Sequence, residues 1–416
     1  MQKRIIAFLA IIIGISLFLS CAHEMPQDSD LEHSDEKEDA EIEHAAPIDR
    51  SIFTPKESMV YSYITPYFCN IPGMVLLNDQ EAHGGGMHMS YVNKADLKEY
   101  FFCFDALCNH TNCLFGYNGP LCYIENVIWS PSDGCLYATA VVSDPENRAP
   151  NDGALYRVDL NTMVAKKVID RNGEPLSHLY VSESEIFVTR KLQTGGYEIL
   201  RYHPQSGEVL SMQAPEGRAF KLLRVSGEVI LVSFMDDPTL YQTDRNFSEY
   251  RATALPRKFL YLDRNVVVSA VSADNEPVVW ETSARSIQTI RVDTGEIQTL
   301  LSYEDLNVRV VGYGGGYVYF ILNPIAKEDE TQVEHCGNIL YRVSNDGGEA
   351  EPMIDFSAAH TGRADDLYVY WAACYDGVVY CNVRCDKPGK YVEIYGTITM
   401  DENGEWIFAT LKGGDN

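Results

Sequence analysis

The sequence predicts an all-β fold, a β-propeller, most simply of seven four-stranded blades, with six or eight also compatible. Three observations carry that expectation. One alternating hairpin recurs along the chain. Its clearest copy is Ser286–Leu301, two strands around Asp293-Thr294-Gly295, and it returns at Ile199-Leu-Arg-Tyr and Leu340-Tyr-Arg-Val, with looser copies from Leu155, Leu240 and Ile398. Aligning Arg157, Arg201, Gln242, Arg291, Arg342 and Thr399 gives steps of 44, 41, 49, 51 and 57 residues, the length of a propeller blade. From Met59 onward, short alternating apolar runs are separated by Gly, Asn, Asp and Pro with almost no 3.6-residue period, which is the pattern of strands and turns.

The first fifty residues read differently. Met1-Gln-Lys-Arg4 is basic, Ile5–Leu19 is apolar apart from Gly14 and Ser16, and Ser20-Cys21 follows at once. Fifteen residues are short for a membrane span and suit the apolar region of a signal peptide, residues 1–20. A cysteine directly after a small residue resembles the lipobox of bacterial lipoproteins. That resemblance implies cleavage before Cys21, lipidation of its thiol and new amino group, and an extracytoplasmic domain anchored to the bacterial cell membrane. An uncleaved N-terminal anchor is the alternative. Residues 21–54 then form a tether: positions 22–49 hold eleven Asp or Glu, one Lys and no aromatic residue, too little apolar surface to offset ordering entropy.

Residues 55–416 form the propeller domain. With 45% apolar and 11% aromatic residues the chain can bury a sizeable core. Its net charge of -27, of which residues 50–416 carry -19, leaves no basic patch able to neutralise a phosphate backbone, so nucleic acid is not an expected partner. Strands are expected near Val60–Phe68, Met74–Asn78, Met87–Asn93 and Tyr100–Phe104. The next unit opens on Trp129-Ser-Pro-Ser-Asp-Gly134, a turn similar to the Ser-Pro-Asp-Gly turn of TolB-like propeller repeats; Gly there accepts positive φ and Asp bonds the local backbone. Later strand pairs fall at His178–Leu192, Leu222–Met235, Phe259–Ser272, Val308–Leu322 and Leu367–Arg384, each followed by the aligned hairpin.

The most specific local feature is an insertion at 103–122, containing Cys103, Cys108, His110, Cys113 and Cys122. Cys103-Phe-Asp-Ala-Leu-Cys108-Asn-His110-Thr-Asn-Cys113 resembles a segment near the start of propeller lipoproteins from Gram-positive, largely gut-dwelling bacteria, where it runs Leu-Cys-x-x-Pro-x-Cys-x-His-x4-Cys. Ala106-Leu107 replaces the Pro region here, and the His-to-Cys spacing is two residues shorter. The resemblance implies a location and a fold but no reaction. Cys103, Cys108, His110 and Cys113 offer a Cys3His donor set for zinc. An exported context favours disulfides instead, and ten cysteines besides Cys21 permit full pairing without requiring it. So short an excursion has little apolar surface of its own and calls for a covalent or metal clip. Cys381 and Cys385 share one strand face about 13 Å apart and cannot bond each other.

Other motifs are weaker. His83-Gly-Gly-Gly-Met87-His88-Met89 has soft ligands suited to Cu(I) and resembles an esterase oxyanion loop, but no Gly-x-Ser-x-Gly elbow accompanies it; a Gly-rich hairpin tip explains it. Asp-Thr-Gly turns invite comparison with quinone-dependent dehydrogenase propellers, yet Leu300, Met212 and Met353 stand where their docking Trp would be. Arg157, Arg201, Arg291 and Arg342 could line a ring or form inter-blade pairs. No spacing picks out a catalytic dyad, because in a propeller such residues come from different blades. The expected function is thus a binding or scaffolding module for a peptide, glycan or protein ligand, without a cofactor. The alternative is an exported hydrolase or lyase acting in the propeller funnel.

The insertion separates its two accounts sharply. Non-reducing peptide mapping of protein from its host is expected to find at least one of Cys103, Cys108 and Cys113 in a disulfide. Three free thiols with one stoichiometric zinc, lost in His110→Ala, would instead establish the metal site.

Overall fold

A computed structural model describes residues 68–411, apart from the connections 78–88, 104–113, 115–120, 122, 144–149, 171–175, 193–196, 213–219, 279–283, 325–336 and 357–367 and a few turn positions. The chain divides into two units, Met1–Glu43 and His44–Asn416, and every described residue lies in the second.

The unit is a β-propeller built from antiparallel meanders. The first sheet is β1 (Phe68–Ile71), β2 (Met74–Leu77), β3 (Ser90–Asn93) and β4 (Glu99–Phe101). The second is β5 (Tyr123–Ser130), β6 (Cys135–Ser143), β7 (Pro150–Asp159) and β8 (Val164–Ile169). The third is β9 (Leu176–Ser182), β10 (Glu185–Lys191), β11 (Tyr197–His203) and β12 (Glu208–Met212). The fourth is β13 (Phe220–Ser226), β14 (Val229–Phe234), β15 (Leu240–Thr243) and β16 (Tyr250–Ala252). The fifth runs β17 (Tyr261–Asp263), β18 (Val266–Ser272), β20 (Ala284–Arg291) and β21 (Ile297–Ser302), with the two-residue β19 (Pro277–Val278) paired to β18. The last sheet has eight strands: β22 (Leu306–Gly314), β23 (Tyr317–Pro324), β24 (Ile339–Ser344), β25 (Glu351–Asp355), β26 (Tyr368–Tyr375), β27 (Val378–Lys387), β28 (Lys390–Met400) and β29 (Trp406–Thr410).

Seven separate four-stranded blades are therefore not what forms. Five blade sheets are followed by one eight-stranded sheet, in which two meanders join through a parallel pairing of their first strands, Gly312 with Ala372 and Tyr313 with Ala373. The cause is local. A Cβ built on Gly312 would fall into the Ala372 carbonyl, and one on Gly314 would stand 2.7 Å from the Cys374 carbonyl oxygen. Glycine on one strand and alanine on the other let the backbones approach to hydrogen-bonding distance, where larger side chains hold neighbouring blades apart.

Alternation in sequence maps onto burial as expected for stacked sheets. Second strands are buried, β14 along its whole length, whereas fourth strands such as β12 and β29 are largely exposed. All six aligned residues fall on third strands of their ladders: Arg157 on β7, Arg201 on β11, Gln242 on β15, Arg291 on β20, Arg342 on β24 and Thr399 on β28. The first described strand is Phe68–Ile71, ended by the turn at Pro72-Gly73, and the strand expected at Val60–Phe68 lies, apart from Phe68, outside the described residues.

Apolar clusters fill each space between successive meanders. Ile71 and Tyr91 meet Trp129 and Leu136, and Tyr137 and Leu155 meet Ile186 and Tyr202. At the end of the series Val75, Leu77 and Val92 of the first sheet pack on Ala373, Tyr375 and Tyr380 of the last, with Lys94 paired to Asp376 beside them. Each such buried side chain contributes about 1.5–3 kcal/mol. Among the described residues β29 pairs only with β28, and the first and last sheets meet through this apolar packing.

Gly312→Val places a branched side chain where the two first strands touch. It is expected to destabilise the domain by about 3 kcal/mol or more, read as a lowered urea midpoint. An unchanged midpoint would mean that β22 and β26 do not pair.

Candidate functional site

The two ends of the propeller differ. First-to-second turns span two to four residues and third-to-fourth turns four to six; because strands one and three run the same way, both sets lie at one end. The opposite end carries the second-to-third and fourth-to-first connections, which reach 14 residues between β23 and β24, 12 between β25 and β26, and 21 between β4 and β5. Long connections on a rigid frame are where propellers and other scaffolds place recognition groups.

At that end the first strands are irregular. Each of β5, β9, β13, β22 and β26 carries one extra residue against its second strand, at Glu125, His178, Leu223, Val311 and Tyr370. A bulge re-aims a side chain and interrupts the ladder. His178 pays a conformational penalty there, with φ of 49°; it is exposed, and its Nδ1 lies 3.4 Å from Thr189 Oγ1.

Beside the bulge at Tyr370 two arginines meet aromatic rings. Arg384 Cζ lies 3.9 Å from the Tyr370 ring centroid. Arg309 Cζ lies 5.3 Å from the same centroid and 5.4 Å from that of Tyr368. The pairing of β22 with β26 explains the meeting: three residues before Gly312 and Ala372, Arg309 comes level with Val369, between Tyr368 and Tyr370. Arg384 is the register partner of Tyr368 across the β26–β27 ladder. Its Nε donates to Oδ1 of buried Asn382 at 3.1 Å. Tyr370 also meets Trp371 edge-on at 6.0 Å. Tyr368 is buried, whereas Arg309, Tyr370 and Arg384 are half-buried.

The repeated arginines are different. Arg157 Nε donates to Asp133 at 2.9 Å, and the same carboxylate oxygen accepts from Tyr137 at 2.7 Å. Arg201 pairs with Glu185 at 3.4 Å and reaches the next sheet at the Arg245 carbonyl, 2.7 Å away. Arg291 pairs with Asp293 in the open. Arg342 donates to Glu351 at 2.8 Å while stacking on Tyr317 and Trp406, whose Nε1 also donates to Glu351. They do not form a ring of binding groups; each is answered by a carboxylate of the frame. Arg309 makes no ion pair or hydrogen bond among the described residues and rests on the two tyrosine rings.

The cysteine insertion is the 21-residue connection, on the same end. Cys103 follows β4, half-buried, its amide donating to the Phe101 carbonyl at 2.7 Å. Cys21, Cys108, His110, Cys113 and Cys122 lie outside the described residues, as do Met87, His88 and the apolar run Ile5–Leu19. The excursion is not independent of the frame, because Leu121 is buried in the first inter-sheet core with Leu114 packed against it. Met89 is likewise a core residue. Among the described residues no group of three or more His, Cys, Asp or Glu is placed to hold a metal, and no helix is long and apolar enough to cross a membrane.

Full pairing of the cysteines does not occur. Cys69, Cys135, Cys374 and Cys381 form no disulfide. Burial pushes the Cys69 and Cys135 thiols up to about 12, Asp133 adding to the effect on Cys135, and burial raises Cys381 further. Such thiols are poor nucleophiles and poor metal ligands. Cys381 and Cys385 lie on one uninterrupted strand, β27, as expected of two residues that cannot bond each other.

No family model and no curated protein matches the chain. Among solved structures, the β-propeller domain of the Trilobed protease from Pyrococcus furiosus is 13% identical with a TM-score of 0.43, over 71% of this chain and 94% of that one. A puromycin hydrolase is 12% identical at 0.49, over 89% of this chain but 56% of its own length. TolB from Acinetobacter baumannii is 15% identical at 0.35, over 62% and 57%. The chain spans little more than half of the length of the latter two.

Alkylation checks the thiols. In the native protein at pH 8, Cys69, Cys135 and Cys381 are expected to resist iodoacetamide and to label fully only after unfolding, as mapped by mass spectrometry. Rapid native labelling of Cys381 would contradict its placement.

Proposed function

We propose that the protein is an extracytoplasmic, lipid-anchored β-propeller acting as a binding module, which takes a peptide, glycan or protein ligand on the end of the ring bearing the long connections. The observation that carries this reading is the Arg309–Tyr370–Arg384 cluster. It consists of hydrogen-bond donors and ring faces held by a rigid frame, a composition suited to gripping a ligand. The anchoring part rests on the basic-apolar start and on Cys21, with the acidic tether holding the domain away from an anionic membrane surface. The acidic balance of residues 50–416 argues against nucleic acid. Zinc at Cys103, Cys108, His110 and Cys113 remains the alternative to a disulfide in the insertion.

Two measurements test the proposal. Cys21→Ala is expected to abolish acyl labelling and to leave the precursor uncleaved or shed; an unmodified Cys21 in the native host overturns the anchor. The full chain in mild detergent, screened against glycan and peptide arrays, is expected to bind a ligand without altering it. Release of cleaved product by the purified protein would favour the hydrolase or lyase reading instead.

A further inference from the structure

We infer that Met400 is an oxidation site, through which a peroxide loosens the outer edge of the eight-stranded sheet. It lies at the tight-turn end of the propeller, and the inference goes beyond the binding-module proposal without depending on it.

Exposure singles the residue out. Among the described methionines, Met74, Met89 and Met353 are buried and Met163 and Met212 are half-buried, whereas Met400 is 49% exposed. Oxidation of a thioether follows access of the oxidant to the sulfur.

Register makes that sulfur matter. Met400 is the cross-strand partner of Trp406 in the β28–β29 hairpin. The neighbouring pair, Asp401 and Glu405, is hydrogen-bonded, with the Asp401 amide donating to the Glu405 carbonyl at 2.9 Å. Further along, the Leu411 amide donates to the Tyr395 carbonyl at 2.9 Å, which keeps the same alternation. Hydrogen-bonded and non-hydrogen-bonded pairs take turns along a ladder, so Met400 and Trp406 form a non-hydrogen-bonded pair. In such pairs the two side chains lie closest on their shared face, and a thioether packs well against an aromatic ring.

Trp406 in turn ties two meanders together. The Arg342 guanidinium lies over its ring, with Cζ at 4.6 Å from the centroid, and its Nε1 donates to Glu351 Oε1 at 3.1 Å. Arg342 donates to the other Glu351 oxygen at 2.8 Å and stacks on Tyr317 at 4.2 Å. The pairing of β22 with β26 joins these meanders at their first strands. The clasp of Arg342, Glu351 and Trp406 joins them at their outer strands, β24, β25 and β29.

The chemistry is a two-electron oxygen transfer. The sulfur attacks the O–O bond of a hydroperoxide and gains one oxygen, and the other oxygen leaves as water or an alcohol. The sulfoxide is polar and seeks water, so the packing on the indole is lost and the hold of Trp406 on Arg342 and Glu351 weakens.

The probe is dilute hydrogen peroxide added to the full chain in mild detergent, with samples quenched at intervals and mapped by mass spectrometry. Met400 is expected to convert before Met74, Met89 and Met353, and tryptophan emission to move to longer wavelength in step with it. Amide exchange in β25 and β29 should rise in the oxidised protein, and methionine sulfoxide reductases should reverse all three changes. Met400→Leu should lose the emission shift, whereas Met400→Gln, whose polar side chain imitates the sulfoxide, should show it without peroxide. If Met400→Leu fails to fold, Trp406→Phe serves in its place, keeping the selective oxidation and losing the shift. Conversion of Met400 no faster than Met353, or selective conversion with emission and exchange unchanged, overturns the inference.

Discussion

The approach of β22 to β26 governs much of what is particular to this molecule. Most propeller blades meet through side chains, which keep their innermost backbones apart. Here Gly312 faces Ala372 and the backbones themselves pair. Two meanders become one sheet, and a position on one first strand is locked in register with positions on the other. Arg309 owes its place beside Tyr368 and Tyr370 to that register. A fold-level irregularity thus sets the geometry of a surface site, through a contact whose only chemical requirement is the absence of side-chain bulk.

Charge is handled in two ways on this frame. Where the repeat places an arginine on a third strand, the same meander, or the next, provides an oxygen for it, and the pair becomes part of the scaffold. Arg157 shows the tightest version: one carboxylate oxygen of Asp133 receives both the guanidinium and the Tyr137 hydroxyl. Arg309 lies instead on a first strand, over Tyr368 and Tyr370, and shares Tyr370 with Arg384, whose Nε donates to Asn382. Third strands face the tight turns and their Asp and Glu residues, while the cluster sits at the opposite end among aromatic rings.

Much of the architecture was legible in the sequence because it is local. The alternation, the Asp-Gly and Gly-Gly turns and the spacing of the aligned hairpins are all written within ten or so residues, and Arg157 through Thr399 do fall on equivalent strands. The merged sheet was not legible. Gly312 in Val-Val-Gly-Tyr-Gly reads as turn punctuation, and nothing nearby names Ala372, some sixty residues on, as its partner. The candidate site was hidden for the same reason. Arg309, Tyr368, Tyr370 and Arg384 form no motif, and Tyr370 reaches the site through a bulge that sequence alternation alone does not reveal. The one available signal was a charged residue in an otherwise apolar first strand, Val308-Arg309-Val310-Val311. The cysteine spacing, by contrast, drew attention to the long connection that lies on the same end. Burial likewise separates the thiols in a way that counting could not, since Cys69, Cys135 and Cys381 serve as small apolar core residues.

Closure by packing between the first and last sheets has a kinetic side. Val75 and Tyr380 are about three hundred residues apart in the chain, yet belong to one apolar cluster. Contacts between neighbouring meanders need only short loops, so the ring can grow in order as the chain is made. The seam, by contrast, joins residues far apart in the chain, and closing it carries a larger loop-closure entropy than joining neighbouring meanders. It cannot form until β26 and β27 exist. Until then the faces carrying Val75 and Val92 stay open, and they are the apolar surface through which a nascent copy would most readily associate with another.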